Sequence, residues 1–176
     1  MFSEKIQIGL KNQLNRELVS SQLYLSMASF VEYKYGSLEG ICNFLYDHSD
    51  EERKHMLKLI RYINKRGGYA DIIMEKKYSL IIDDISYDSL KELFQKLFEH
   101  EKIISKEINS LVELSLQESD YFTYNFLQWF VEEQIEEEAL TKMILDKIKL
   151  VEKDKAGLYL FDRDIKNFHT KNENIM

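Results

Sequence analysis

From Ser3 to Tyr35, apolar or small residues recur every three or four positions, at Ile6, Leu10, Leu14, Ser21, Ala28 and Val31, which is the period of a helix with one buried stripe. Gly36 ends that run. A second stripe, Leu38, Ile41, Leu45, Leu59 and Tyr62, predicts a helix from about Ser37, a good N-cap, to a stop at Gly67-Gly68. A third helix starts near Asp88 and carries Leu90, Phe94, Leu97, Ile104, Ile108 and Leu111. The fourth starts near Asp120 and carries Phe126, Phe130, Leu140, Ile144, Ile148 and Val151. Short connections at Gly36 and over 117–119 make each consecutive pair an antiparallel hairpin.

Between Tyr69 and Tyr87 the apolar positions Ile72, Ile73, Leu80, Ile81 and Ile82 keep no sustained period, so this stretch reads as an ordered crossover. A helix of about 28 residues is roughly 42 Å long, and the extended crossover reaches roughly 60 Å, so it can return along the whole bundle. Helices two and three then run parallel. Beyond Gly157, the positions Leu158, Phe161, Ile165 and Phe168 predict a short amphipathic fifth helix. The expected fold is all-α: a four-helix bundle over about 3–151 with a long crossover between helices two and three, and a short C-terminal helix over about 156–168. One domain over 1–176 is expected.

Composition supports this class. The chain of 176 residues is 44% hydrophobic and contains no proline, so nothing interrupts long helices. Its formal net charge of -7 lacks the basic footprint of a nucleic-acid binder, and cations suit it better than phosphates. Hence no nucleic-acid partner is expected. No stretch approaches the roughly 20 uncharged apolar residues of a membrane span, so no membrane partner is expected either. The charged start Met1-Phe2-Ser3-Glu4-Lys5 and the single Cys42 point to the reducing cytoplasm.

The stripes also carry acid. Glu52 and His55 lie on the second stripe, Glu17 continues the first between Leu14 and Ser21, and Glu101 sits between Leu97 and Ile104. On helix four the stripe runs Phe130, Glu133, Glu137, Leu140. Glu17 to Glu52 spans 35 residues and Glu101 to Glu137 spans 36, a weak repeat that puts four acids at a common height. Singly, each of these is a common surface pattern. Together they interrupt every seam beside one inward imidazole, and only a bound cation or protonation makes such a cluster tolerable. Five carboxylates and one nitrogen suit iron or manganese better than structural zinc, and they are enough for two ions with Glu52 as the bridge. Tyr24 on the same stripe is read either as a hydrogen-bond donor or electron donor to that site or as a core residue. His48 is read as a core or supporting histidine, Trp129 as packing and Cys42 as inert filler.

At this point the chain resembles the ferritins, in particular the haem-free bacterial ones, over nearly its whole length. The stretches that carry the likeness are Asn15-Arg16-Glu17-Leu18, His48 to Met56, His100-Glu101, Asn125 to Val131 running into Glu133 to Glu138, and Gly157-Leu158-Tyr159. The resemblance implies a first iron site on Glu17, Glu52 and His55, and a second on Glu52, Glu101 and Glu137 with Gln134 beside it. It further implies a third iron site on Glu51, Glu133 and Glu136, with Tyr24 close to the centre. The function it implies is iron storage: oxidation of ferrous to ferric iron by dioxygen or hydrogen peroxide, inside a hollow homo-oligomer of 24 subunits. Bacterioferritins differ by a second Glu-x-x-His on helix four, where this chain has Gln134 and Glu137, and by a haem-ligating methionine where this chain has Arg53. No haem is therefore expected. The alternatives are a di-iron carboxylate oxidase acting on another substrate and a twelve-subunit mini-ferritin that detoxifies iron. The latter resembles ligand sets split between subunits, whereas here the set is complete within one chain.

Overall fold

The computed structural model describes residues 2–72 and 87–168. Four long helices and one short one are present there: α1 Glu4–Tyr35, α2 Glu39–Lys65, α3 Leu90–Gln117, α4 Tyr121–Val151 and α5 Lys155–Asp164, the last continued by a 3-10 turn over Ile165–Asn167. Local capping explains most boundaries. Ser3, Ser89, Asp120 and Asp154 each accept a backbone N–H from the first turn that follows. Gly36, at φ +48, ends α1, and Gly67, at φ +81, lets the chain leave α2. Ser119 takes the left-handed conformation in the tight α3–α4 turn.

One expected cap is corrected. Ser37 does not cap α2, because its hydroxyl donates to the Tyr35 carbonyl, and Leu38 at the cap position offers no side-chain acceptor. The N-terminus of α2 is capped from a distance: Asp162 Oδ1 on α5 accepts the Ile41 N–H at 2.8 Å. Such a close approach requires Gly40, since a Cβ there would stand 1.8 Å from the Asp162 carbonyl oxygen.

Cross-helix contacts fix the directions. Lys5, Arg16 and Lys34 of α1 meet Glu118, Glu107 and Tyr87 at or beside α3, so α1 and α3 are antiparallel. His55 and Tyr62 of α2 and Arg66 at its C-terminal end meet Trp129, Thr123 and Asp120, so α2 and α4 are antiparallel too. The Ser21–Ser49 contact joins the α1–α2 hairpin near its middle. Helices α2 and α3 therefore run parallel, as the crossover requires. Residues 73–86 of that crossover lie outside the described residues, but its ends are seen: Asp71 pairs with Lys11, and the Tyr87 carbonyl accepts from Lys34. Those anchor points are 23 residues apart on α1, a distance of about 35 Å along the helix.

The core falls into two apolar clusters. One gathers Tyr24, Met27, Ile41, Leu45, Phe94, Leu97, Ile144 and Ile148 with Phe161 and Ile165 from the C-terminal segment, which explains where the fifth helix docks. The other gathers Ile6, Leu10, Leu14, Leu59, Ile63, Ile104, Ile108, Leu127 and Phe130. Between Leu14 and Tyr24 on α1, and at the matching height on the other three helices, the lining turns acidic.

Candidate metal centre

Helical periodicity forces the acids inward: each stands three or four residues from a core side chain on its own helix, so turning it to solvent would expose that stripe. Glu17, Glu52, Glu101 and Glu137, one from each helix, are all at most 2% exposed. His55, Glu133 and Gln134 are buried beside them.

Two close groups and the hydrogen bonds around them organise the layer. Glu17, Glu52 and His55 form one close group, with His55 Nδ1 3.6 Å from Glu52 Oε2 and 4.0 Å from Glu17 Oε2. Gln13, one turn earlier on α1, donates from Nε2 to Glu17 Oε1 at 2.7 Å and holds that carboxylate. Across the bundle, the Tyr24 hydroxyl donates to Glu101 Oε1 at 2.9 Å, and Gln134 Nε2 donates to Glu101 Oε2 at 3.3 Å and to the Glu101 carbonyl at 3.1 Å. A further close group joins His48, Glu51 and Glu137, with His48 Nε2 3.7 Å from Glu51 Oε2 and 4.0 Å from Glu137 Oε2. The His48 Nδ1–H donates to the Phe44 carbonyl at 2.9 Å, which turns Nε2 toward the two acids.

The electrostatics are those of a site built for cations. Burial pushes the Glu17 carboxyl well above the ordinary range, and Glu52 adds to it. Burial, then Glu101, does the same to Glu52, and burial, then Glu101 and Glu52, to Glu137. Glu101 is raised by burial to about 7, held there against the lowering contacts from Tyr24 and Gln134. Burial followed by the charges of Glu101 and Glu137 keeps the Tyr24 phenol protonated. Glu52 Oε2 and Glu137 Oε2 are buried yet accept no hydrogen bond. Such oxygens are stable only with a proton or a cation. Oxygen-rich donors with one or two imidazoles suit iron.

A family model described as a ferritin-like domain matches residues 8–151. The chain belongs to the ferritin family. It is 44% identical over 167 residues to a bacterial non-heme ferritin of Campylobacter jejuni, covering 95% of this chain and 96% of that one. A probable bacterial non-heme ferritin-like protein of Haemophilus influenzae is 42% identical over 171 residues, covering 97% and 99%. Among solved structures, an open-pore ferritin of Archaeoglobus fulgidus superposes with a TM-score of 0.86 at 36% identity, covering 94% of this chain and 98% of that one. This is thus an iron-storage family whose members bind iron and form homo-oligomers.

Within this ferritin chain the structure brings Glu17, Glu52 and His55 together, and Tyr24 is at once a fully buried core residue and a hydrogen-bond donor to Glu101. Glu133 is buried where its charge reaches Glu52, Glu137 and Lys58. Glu51 joins His48 and Glu137, while Glu136 is half-buried on α4 outside both close groups. Trp129 packs as expected, its ring edge-on to His55 at 5.1 Å between centroids. Of two further participants, the sequence reads His48 only as a core or supporting histidine and leaves Gln13 unassigned. His48 precedes Glu51 by three residues and Glu52 by four, and Gln13 precedes Glu17 by four, so helical spacing alone was the available signal.

Proposed function

We propose that this ferritin chain is a ferroxidase that loads an iron store. What supports the reading above all is the layer of four buried carboxylates, one per helix, with two oxygens lacking any hydrogen-bond partner. A first ferrous ion is held by Glu17, Glu52 and His55, and a second by Glu52, Glu101 and Glu137, with Glu52 bridging. Gln134, neutral where a ligand would bear charge, weakens retention at the second position and lets product leave. A third ion sits near Glu51, Glu133 and Glu136, with His48 as its nitrogen donor.

The protein's own groups do the preparatory work. Ferrous iron displaces protons from Glu17, Glu52, Glu101 and Glu137, and the resulting anions favour the ferric over the ferrous state. Gln13 and Tyr24 hold Glu17 and Glu101 in place. Two ferrous ions each give up one electron, and dioxygen takes both with two protons to leave hydrogen peroxide. Hydrogen peroxide as oxidant takes two electrons and two protons to leave two waters. The ferric product passes to a mineral inside a shell of 24 subunits, with α5 at the fourfold contacts. Arg53, exposed on α2, offers no thioether, so this reading includes no haem. No described helix is long and apolar enough to cross a membrane, and the buried free thiol of Cys42 fits the cytoplasm.

Anaerobic titration with ferrous iron followed by rapid mixing with dioxygen tests this. Wild-type protein should bind two or three ions per subunit and oxidise two quickly. Glu52→Ala should still assemble and lose the fast phase. Normal rates in that variant would overturn the assignment, and Gln134→Glu with unchanged iron turnover would overturn the release role.

A further inference from the structure

Two glutamines separate the acid layer from the surface, and they do so beneath different walls. Gln13 lies under a groove between α1 and α3 that is closed by a two-point ion pair, with Arg16 Nε and Nη2 at 2.7 and 2.6 Å from the Glu107 oxygens, and flanked by Lys106. Gln134 lies under a groove between α3 and α4 of about 400 Å³ whose walls are Ser105, Ile108, Asn109, Val131 and Ile135, with Glu138 as the one charged lining residue. The Gln134 amide is the floor of that groove, and behind it stands the Glu101 carboxylate.

We infer that the α3–α4 groove is the route by which a small uncharged oxygen species, dioxygen or hydrogen peroxide, reaches the metal centre, and that the Gln134 amide closes it. The inference rests on the ferroxidase reading. A hydrated ferrous ion would meet one carboxylate in this lining, Glu138, and past it would have to shed water against walls of isoleucine and valine. A neutral solute meets no such barrier, and Ser105 and Asn109 offer hydrogen bonds on the way. The amide is held loosely: one Nε2 faces three acceptors at 3.1, 3.3 and 3.4 Å, more than its two hydrogens serve and all longer than the usual 2.9 Å or so. A cation bound by Glu101 draws on the same Oε2 charge that attracts the amide. Metal binding therefore loosens the closure, and the oxidant is admitted after the iron.

The test narrows the groove without touching the acid layer. Val131→Phe fills the wall one turn before Gln134, and Asn109→Tyr, at an exposed position, covers the mouth. In the assembled protein, ferrous binding is followed under argon by quenching of the single Trp129 beside His55. Oxidation is then followed by stopped flow over a range of dioxygen and, separately, hydrogen peroxide concentrations. Both variants should bind wild-type amounts of ferrous iron and reach the wild-type maximal rate, with the apparent second-order constant for the oxidant lowered tenfold or more. Loss with one oxidant only identifies which species uses the groove. Unchanged oxidant dependence in correctly assembled Asn109→Tyr and Val131→Phe overturns the route. So does impaired ferrous binding with normal oxidant dependence, which would make the groove the path of iron. If wild-type protein itself fails to oxidise iron, it is the ferroxidase reading that fails.

Discussion

Replacing Glu101 by glutamine should make the metal-free protein more stable while crippling its iron site, and the gain should grow as pH rises from 4.5 through 7. The Glu101 carboxyl is fully buried and titrates near 7 in the folded chain against 4.5 when free. Because the folded pKa is the higher one, the folded state binds the extra proton between those values. Stability from this group is thus present at low pH and lost as pH rises from 4.5 through 7. With its carboxyl pushed up to about 7, the charged form at pH 8 costs on the order of 3 kcal/mol. Glutamine removes that cost. It also presents an amide to the Gln134 donor 3.3 Å away, which forfeits one hydrogen bond of about 1 kcal/mol. The net gain is about 2 kcal/mol. With a urea dependence of roughly 2 kcal/mol/M, the unfolding midpoint should rise by about 1 M at pH 8. At pH 5 the wild-type carboxyl is already neutral, and the difference should shrink to near zero. Urea unfolding of chelator-treated protein at both pH values, monitored by helical circular dichroism, measures it. An equal gain at both pH values, or a loss at pH 8, would refute the argument that buried charge is the cost being relieved.

Other outcomes follow from the same geometry. Ferrous binding should release protons and weaken steeply as pH falls below 7, since Glu17, Glu52, Glu101 and Glu137 are all raised; calorimetry in buffers of different ionisation enthalpy counts the protons. His100 behaves oppositely, its imidazole lowered to about 4 by burial and then by Arg16, so its contribution is complete above 6.5 and is lost as pH falls toward 4. His100→Gln should therefore flatten the acid limb of the stability curve between those values. Gly40→Ala places a methyl 1.8 Å from the Asp162 carbonyl, and should cost about 1–3 kcal/mol as α5 is pushed off the end of α2; Asp162→Ala should cost about 1 kcal/mol through the lost cap, both read by thermal melting. His48→Leu should remove one bound ion per subunit, counted by anaerobic titration, while leaving the fast oxidation of two.

How much could be read from the chain alone varies with the range of the interaction. The four long helices were legible because their stripes repeat a single local period, whereas the caps Ser3, Ser89 and Asp120 that set their exact starts came only with the structure. Ser37, the one N-cap read from the sequence, misled: it has the chemistry of a cap, but the acceptor that reaches α2 comes from Asp162, 121 residues away from Ile41 in sequence. The crossover was inferred from the absence of a period and from reach, and its visible ends on Lys11 and Lys34 agree with that inference.

The same division holds at the acid layer. That Glu17, Glu52, Glu101 and Glu137 face inward was determined by the sequence itself, because a residue three or four positions from a core leucine shares its side of the helix. Which atoms then meet was decided by the tertiary structure. It chose His48 as a partner of Glu51 and Glu137, put Gln13 against Glu17, gave Tyr24 to Glu101, and left over Gln134 a groove with a single charged lining residue, Glu138. Periodicity specifies a direction around one axis, whereas distances between side chains depend on how far apart four axes pack and how they are staggered. Those are properties of the assembled core and are not carried by any one helix.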